Sequence, residues 1–150
     1  GGIDLVTAAD IRFASADAYF AVREIDMGMT ADVGTLQRLP RIVGEGVARE
    51  LCLTGRRIDA AEAAQLKLVN QVFDSQDALL AHARQVAASI AGKSPLAVRG
   101  TKQVLNYSRD HSVADSLNYI ATWNAAMLMS NDLTAAMMAG MAKQTPVFKD

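Results

Sequence analysis

The chain has a single cysteine, Cys52, in 150 residues, which excludes an internal disulfide and fits a reducing compartment. In the run Glu50-Leu51-Cys52-Leu53 that residue reads as a small buried hydrophobe. Neither charge dominates: 15 basic and 16 acidic residues leave a net charge of −1. With no global field to draw it to nucleic acid or an anionic membrane, the chain is expected to have neither as partner. No apolar run approaches the ~20 residues needed to span a bilayer, and no charged segment leads into an apolar one at the start. His82 and His111 stand alone, without cysteine or histidine at ligand spacing, so no metal site is expected. No serine occupies a nucleophile-elbow motif. Neither Gly1-Gly2 nor Gly44-Glu45-Gly46 forms a GxGxxG run after a strand, and no nicotinamide or flavin cofactor is implied.

What the chain does have is three carboxylates in glycine-containing, largely apolar surroundings. They are Asp4 in Gly-Gly-Ile-Asp-Leu, Glu24 in Val-Arg-Glu-Ile-Asp, and Asp32 in Thr-Ala-Asp-Val-Gly. Burial lifts a carboxyl pKa toward the working pH while a wetter sibling stays ionised, so such a set can divide acid and base roles without a metal. A Gly-Gly turn opening a helix also leaves backbone N–H groups able to donate to a developing oxyanion. Each carboxylate has a plainer explanation as well. Asp4 and Asp32 both fall near predicted helix N-termini, where an acid is stabilised by about 1 kcal/mol, and Glu24 fits a solvated loop.

The length suits one domain or part of one. The opening Gly-Gly, with no Met and no strand ahead of it, reads as the start of a chain inside a fold. The first third mixes short β-prone pieces with glycines, and from about Gly44 onward the composition turns helical, so an α/β class is expected. The pattern predicts helices over 3–9 and 33–39, the second stopped near Pro40, and strands over 11–14, 18–22 and 69–73. Helices are predicted over 44–53, from an Asp59–Glu62 capping box, over 77–90, from Ser94-Pro95, over 113–129 and over 133–142. His82 is read as lying on a solvent face, and His111 as capping a turn or bonding Asp110. Leu117, Ile120, Ala121, Trp123, Met127 and Leu128 give more apolar surface than a solvated helix needs, which fits either subunit packing or a two-sided core helix.

Gly-Gly-Ile-Asp-Leu, then Ala9-Asp10-Ile11-Arg12, Gly34-Thr35-Leu36-Gln37-Arg38-Leu39-Pro40-Arg41, Leu53-Thr54-Gly55-Arg56 and Lys93-Ser94-Pro95 closely resemble the crotonase (enoyl-CoA hydratase/isomerase) superfamily. The resemblance covers the whole chain. It implies the C-terminal part of a crotonase-type β-spiral, with the end of the spiral core and its carboxylates in residues 1–73 and a helical region for trimerisation and CoA contact in 74–150. By the same resemblance, the N-terminal half of that fold, with one of two oxyanion donors, is absent. Asp32 occupies a position where hydratases of the superfamily have proline-glycine. With Tyr107-Ser108-Arg109-Asp110-His111-Ser112 later in the chain, it resembles the branch that isomerises 3,5-dienoyl-CoA to 2,4-dienoyl-CoA in β-oxidation.

Carried onto this sequence, the resemblance makes Glu24 and Asp32 the acid/base pair, places Asp4 beside them, and gives Gly1 an oxyanion-hole N–H. Lys143 becomes the candidate for the nucleotide end of coenzyme A, with a solvated lysine as the plainer explanation. Coenzyme A enters as part of the substrate, and a homo-oligomer, trimer or hexamer, is implied. Glu24 is expected to serve as base at carbon 2 and Asp32 as acid at carbon 6, the latter shielded by Met27, Met29 and Val33. A 2-enoyl-CoA hydratase using Asp4 and Glu24 is the rival expectation, and a non-catalytic acyl-CoA-binding protein on the same fold is another. The end Pro146-Val147-Phe148-Lys149-Asp150 lacks a Ser-Lys-Leu signal, and a bacterial cytoplasm is expected, with a mitochondrial matrix as alternative.

Overall fold

The computed structural model describes residues 1–148. The end of the chain on which the targeting expectation bears, Lys149 and Asp150, lies outside them. The chain forms two compact units, one of Gly1–Arg84 and the other from Gln85 onward.

In the first unit, α1 (Gly2–Ala8) leads to β1 (Phe13–Ser15) and β2 (Tyr19–Phe20), then to a short 3-10 helix, Glu24–Met27. Next come α2 (Thr35–Val43), α3 (Glu45–Thr54), β3 (Ile58–Asp59), α4 (Ala60–Gln65) and β4 (Gln71–Phe73). β1 pairs parallel with β4, Ala14 opposite Val72, and β2 pairs antiparallel with β3, Phe20 opposite Ile58. The strands are shorter than the sequence pattern predicts, each having one hydrogen-bonded neighbour among the described residues. Leu39, Leu51, Ile58, Leu68 and Val69 are buried almost completely and tie α2, α3, α4 and the strands together. Each contributes about 1.5–3 kcal/mol by leaving water.

Pro40 does not stop α2, which runs on to Val43. The ring costs the helix one bond, to the carbonyl of Leu36. Gly44 then ends the helix by donating to the Pro40 carbonyl at 2.9 Å. The Asp59 cap forms as expected, its Oδ1 accepting from Glu62 N–H at 2.7 Å. Glu62 does not complete the box, because its carboxylate binds Arg56, which also binds Glu50. His82, expected on a solvent face, instead lies against Phe13 and Phe73, with ring centroids 5.1 and 4.9 Å away.

α5 (Gln76–Ala91) runs across the division between the units, and the second unit continues with α6 (Pro95–Ser108), α7 (Val113–Met127) and α8 (Asn131–Met141). Ser94, Ser112 and Ser130 each cap the helix that follows through their hydroxyls. α6 and α7 meet where Gly100 accepts the Trp123 indole, which a Cβ at Gly100 would approach to 2.6 Å. Tyr107 stacks between His111 and Tyr119, and His111 Nδ1 meets the Tyr107 carbonyl at 2.8 Å, the local partner that a bond to Asp110 was expected to supply. No residue of α7 or α8 is buried within the chain. Leu117, Met138 and Met141 are more than half exposed within this chain.

Candidate active site

Asp4 is buried at 6% exposure, in the first turn of α1, yet it caps a different helix. Its Oδ1 accepts two hydrogen bonds from Thr35, one from the backbone N–H at 2.9 Å and one from the hydroxyl at 2.7 Å. Thr35 is the first residue of α2, so a carboxylate thirty-one positions away satisfies a free donor that the preceding Gly34 has no side chain to reach. The hydroxyl of Thr35 holds the Asp4 carboxyl below the usual aspartate range, with the backbone bond adding to it against the opposing effect of burial. Asp4 is thus an ionised, hydrogen-bonded group.

The other oxygen of Asp4 faces the terminal amino group of Gly1 at 3.5 Å, and the same group lies 3.4 Å from Glu24 Oε1. Gly1, Asp4 and Glu24, which the sequence singles out separately, therefore converge. Glu24 opens the 3-10 helix and its side chain is 18% exposed. On its other side is Cys52 of α3, whose thiol is pushed up by partial burial and by the Glu24 charge. A groove of about 350 Å³ beside it is lined by Leu36, Pro40, Ala48, Cys52 and Leu53, with Glu45 and Arg49 at its rim.

Asp32 is placed differently from its sequence expectation. It is exposed, as are Met27 at 61%, Met29 at 52% and Val33 at 65%, so those residues do not shield it. In the segment between Gly28 and Gly34, both with positive φ, Ala31 alone is buried. The plain explanation of Asp32 as a helix cap also fails, since Asp4 performs that task and Asp32 has no hydrogen-bond or ion-pair partner among the described residues.

Two residues of this region carried no role in the sequence reading. Thr35 is the buried partner of Asp4, and Arg38 bonds the Asp4 and Val33 carbonyls at 3.0 and 2.8 Å and the Thr7 hydroxyl at 3.3 Å. Their signal was the spacing Gly34-Thr35 and Arg38, one helical turn on. Lys143 lies in the second unit, exposed, at the end of α8. Its φ of 53° and the bonds Lys143 N–H to Gly140 O and Gln144 N–H to Ala139 O make it the left-handed residue of a helix-terminating Schellman turn. Among the described residues, no group of three His, Cys, Asp or Glu is placed to hold a metal ion, and no helix is long and apolar enough to cross a membrane.

The sequence profile of the enoyl-CoA hydratase/isomerase family matches residues 1–150. The chain belongs to that family. It is 53% identical over 148 residues to the peroxisomal Δ3,5-Δ2,4-dienoyl-CoA isomerase of Arabidopsis thaliana, covering 99% of this chain and 53% of the relative. With the mitochondrial Δ3,5-Δ2,4-dienoyl-CoA isomerase of Mus musculus it shares 50% identity over 145 residues, 96% of this chain and 44% of the relative. The crystal structure of an enoyl-CoA hydratase from Bacillus anthracis superposes with a TM-score of 0.94 at 32% identity, over 99% of this chain and 57% of that one. The chain therefore has the fold of the C-terminal part of a crotonase-type β-spiral and spans about half the length of the curated relatives it matches.

Proposed function

We propose that the protein carrying this chain isomerises 3,5-dienoyl-CoA to 2,4-dienoyl-CoA in fatty acid β-oxidation, with Glu24 and Asp32 as the proton-transferring pair. The observation that carries the reading is the division of labour among the carboxylates. Asp4 caps α2 and stays ionised, Glu24 stands half-buried at the Gly1 nitrogen, and Asp32 is left uncommitted where a cap was expected. The relatives named as dienoyl-CoA isomerases, at 50% and 53% identity, support the same reaction.

The reaction removes a proton from carbon 2 and delivers one to carbon 6, positions too far apart for one short carboxylate. Glu24 takes the first proton. The negative charge moves onto the thioester oxygen, where the Gly1 N–H donates; one such donor lowers a barrier by about 3 kcal/mol. Asp32 supplies the proton at carbon 6, and Asp4 contributes its fixed charge and the placement of Gly1. With Oδ1 of Asp4 committed to Thr35, this carboxylate has half its capacity for holding a water, which favours isomerisation over hydration.

In this reading residues 1–73 carry the chemistry, and residues 74–150 carry assembly and CoA contact. The exposed apolar residues of α7 and α8 pack a homo-oligomer, trimer or hexamer, and Lys143 meets the nucleotide end of coenzyme A. No cofactor beyond the substrate's own coenzyme A is used. The compartment is a bacterial cytoplasm or, given the mitochondrial name of one relative, a mitochondrial matrix.

The test offers the full-length protein a 3,5-dienoyl-CoA and a 2-enoyl-CoA side by side, then repeats with Asp32→Asn. The expected result is 2,4-dienoyl absorbance that falls in the variant by roughly two decades or more, the scale of a lost proton-transfer group. Hydration of the 2-enoyl substrate, with no diene product from the parent, refutes it.

A further inference from the structure

We infer that Arg38 is a positioning residue that latches the Asp32 segment to α1, with Gly34 as the space its guanidinium requires. The inference rests on the isomerase reading for its effect on rate, and on geometry alone for the latch.

The segment carrying Asp32 has few fixings. At its start, Met29 N–H donates to the Glu24 carbonyl at 3.0 Å, and in its middle Ala31 is buried. After Asp32, the fixing is Arg38, whose Nη2 donates to the Val33 carbonyl at 2.8 Å. The same nitrogen donates to the Asp4 carbonyl at 3.0 Å, and Nε reaches the Thr7 hydroxyl at 3.3 Å. One planar guanidinium thus ties the residue after Asp32 to the helix that carries Asp4 and begins beside Gly1. Nη2 serves both carbonyls while Nε, on the other side of the same plane, serves the Thr7 hydroxyl, a spread of donors that a single ammonium nitrogen does not reproduce.

Gly34 is fitted to that latch twice over. Its φ of 106° is one that side chains rarely adopt, and a Cβ there would fall inside the Arg38 guanidinium. A residue larger than glycine must therefore both strain the turn and push the latch open. Thr7 completes the arrangement by donating its own hydroxyl hydrogen to the Ile3 carbonyl at 2.8 Å, leaving an oxygen lone pair for Arg38 Nε.

The consequence is selective. α1 keeps its link to α2 through Asp4 and Thr35 when Arg38 is lost, so Gly1 and Glu24 stay together while Asp32 is released. Misplacing a proton donor by an ångström is enough to cost up to about a hundredfold in rate.

The experiment compares full-length parent, Arg38→Gln, Arg38→Lys and Gly34→Ala, with two readouts. The first is formation of 2,4-dienoyl-CoA against deuterium uptake at carbon 2 of recovered 3,5-dienoyl-CoA in D₂O. In Arg38→Gln and Gly34→Ala, product formation should fall at least tenfold, carbon-2 uptake should stay within about threefold of the parent, and Arg38→Lys should recover part of the loss. The second is backbone amide exchange, which in Arg38→Gln should rise at least tenfold at residues 29 and 38, whose N–H groups donate to the Glu24 and Gly34 carbonyls at the two ends of the segment, and stay unchanged at Thr35 and in α3. Product and carbon-2 uptake falling together would show general damage and overturn the positioning role, as would no change in either. Unchanged amide exchange would overturn the latch itself. A parent that makes no diene refutes the isomerase reading and with it the rate effect, while amide exchange still decides the latch.

Discussion

Removing the Asp4 carboxylate should expose how much of the first unit depends on one long-range cap. In Asp4→Ala, the N–H and hydroxyl of Thr35 lose their shared acceptor at a residue only 1% exposed. Losing hydrogen bonds to a charged acceptor costs about 1.5–3 kcal/mol each, but the hydroxyl can rotate to another acceptor, so the sum is about 3–4 kcal/mol. Asp4→Asn keeps a carbonyl oxygen in the same place and should cost about 1 kcal/mol. In a protein that unfolds as one cooperative fold of about 150–250 residues, 1 kcal/mol moves Tm by about 2–4 °C, so the alanine variant should melt about 10 °C lower. The direct check is a double-mutant cycle with Thr35→Val in urea unfolding of the full-length protein, with a coupling energy near 2 kcal/mol expected for residues in contact. Additive effects, or an alanine variant as stable as the asparagine one, would refute the assignment of Asp4 as the cap of α2.

Acid should weaken the protein through the same group. Because the folded pKa of Asp4 is depressed, its contribution is fully present above the unfolded value of about 4 and is lost as pH falls through the lower folded value. Acid titration of unfolding free energy below pH 4 should therefore be shallower in Asp4→Asn than in the parent. The Cys52 thiol, held up by burial and by Glu24, should react with iodoacetamide more slowly than a free cysteine at pH 8, and Glu24→Gln should speed it about twofold. Gly100→Ala drives a Cβ into the Trp123 indole and should cost about 1–3 kcal/mol, with a change in tryptophan emission. Lys143→Gly relieves a left-handed lysine and should raise stability by up to about 1 kcal/mol, while weakening CoA binding if the lysine meets the nucleotide.

Local chemistry was legible where the residues involved are neighbours in sequence. The Asp59 cap, Ser94 ahead of Pro95 and the glycine end of α3 follow from spacing, because caps act within one turn. The carboxylates were legible as a set, but not their division of labour. Asp4 looks like a cap for its own helix, and only tertiary packing delivers it to Thr35 instead. The shielding of Asp32 by Met27, Met29 and Val33 was misjudged because apolar residues in sequence do not reveal which way a segment between two positive-φ glycines turns. Pro40 was read as a stop, whereas α2 runs through it to Val43. His82 gave no sign of its place against Phe73 of the preceding strand and Phe13 of a strand far away in sequence.

The most direct measurement of the central claim follows deuterium into carbons 2 and 6 when full-length parent, Glu24→Gln and Asp32→Asn meet 3,5-dienoyl-CoA in D₂O. With Glu24 as base and Asp32 as acid, the parent labels carbon 6 of the product, and Asp32→Asn still labels carbon 2 of recovered substrate while product falls by about two decades. Glu24→Gln should lose both. Label entering carbon 6 at the parental rate in Asp32→Asn would contradict the account.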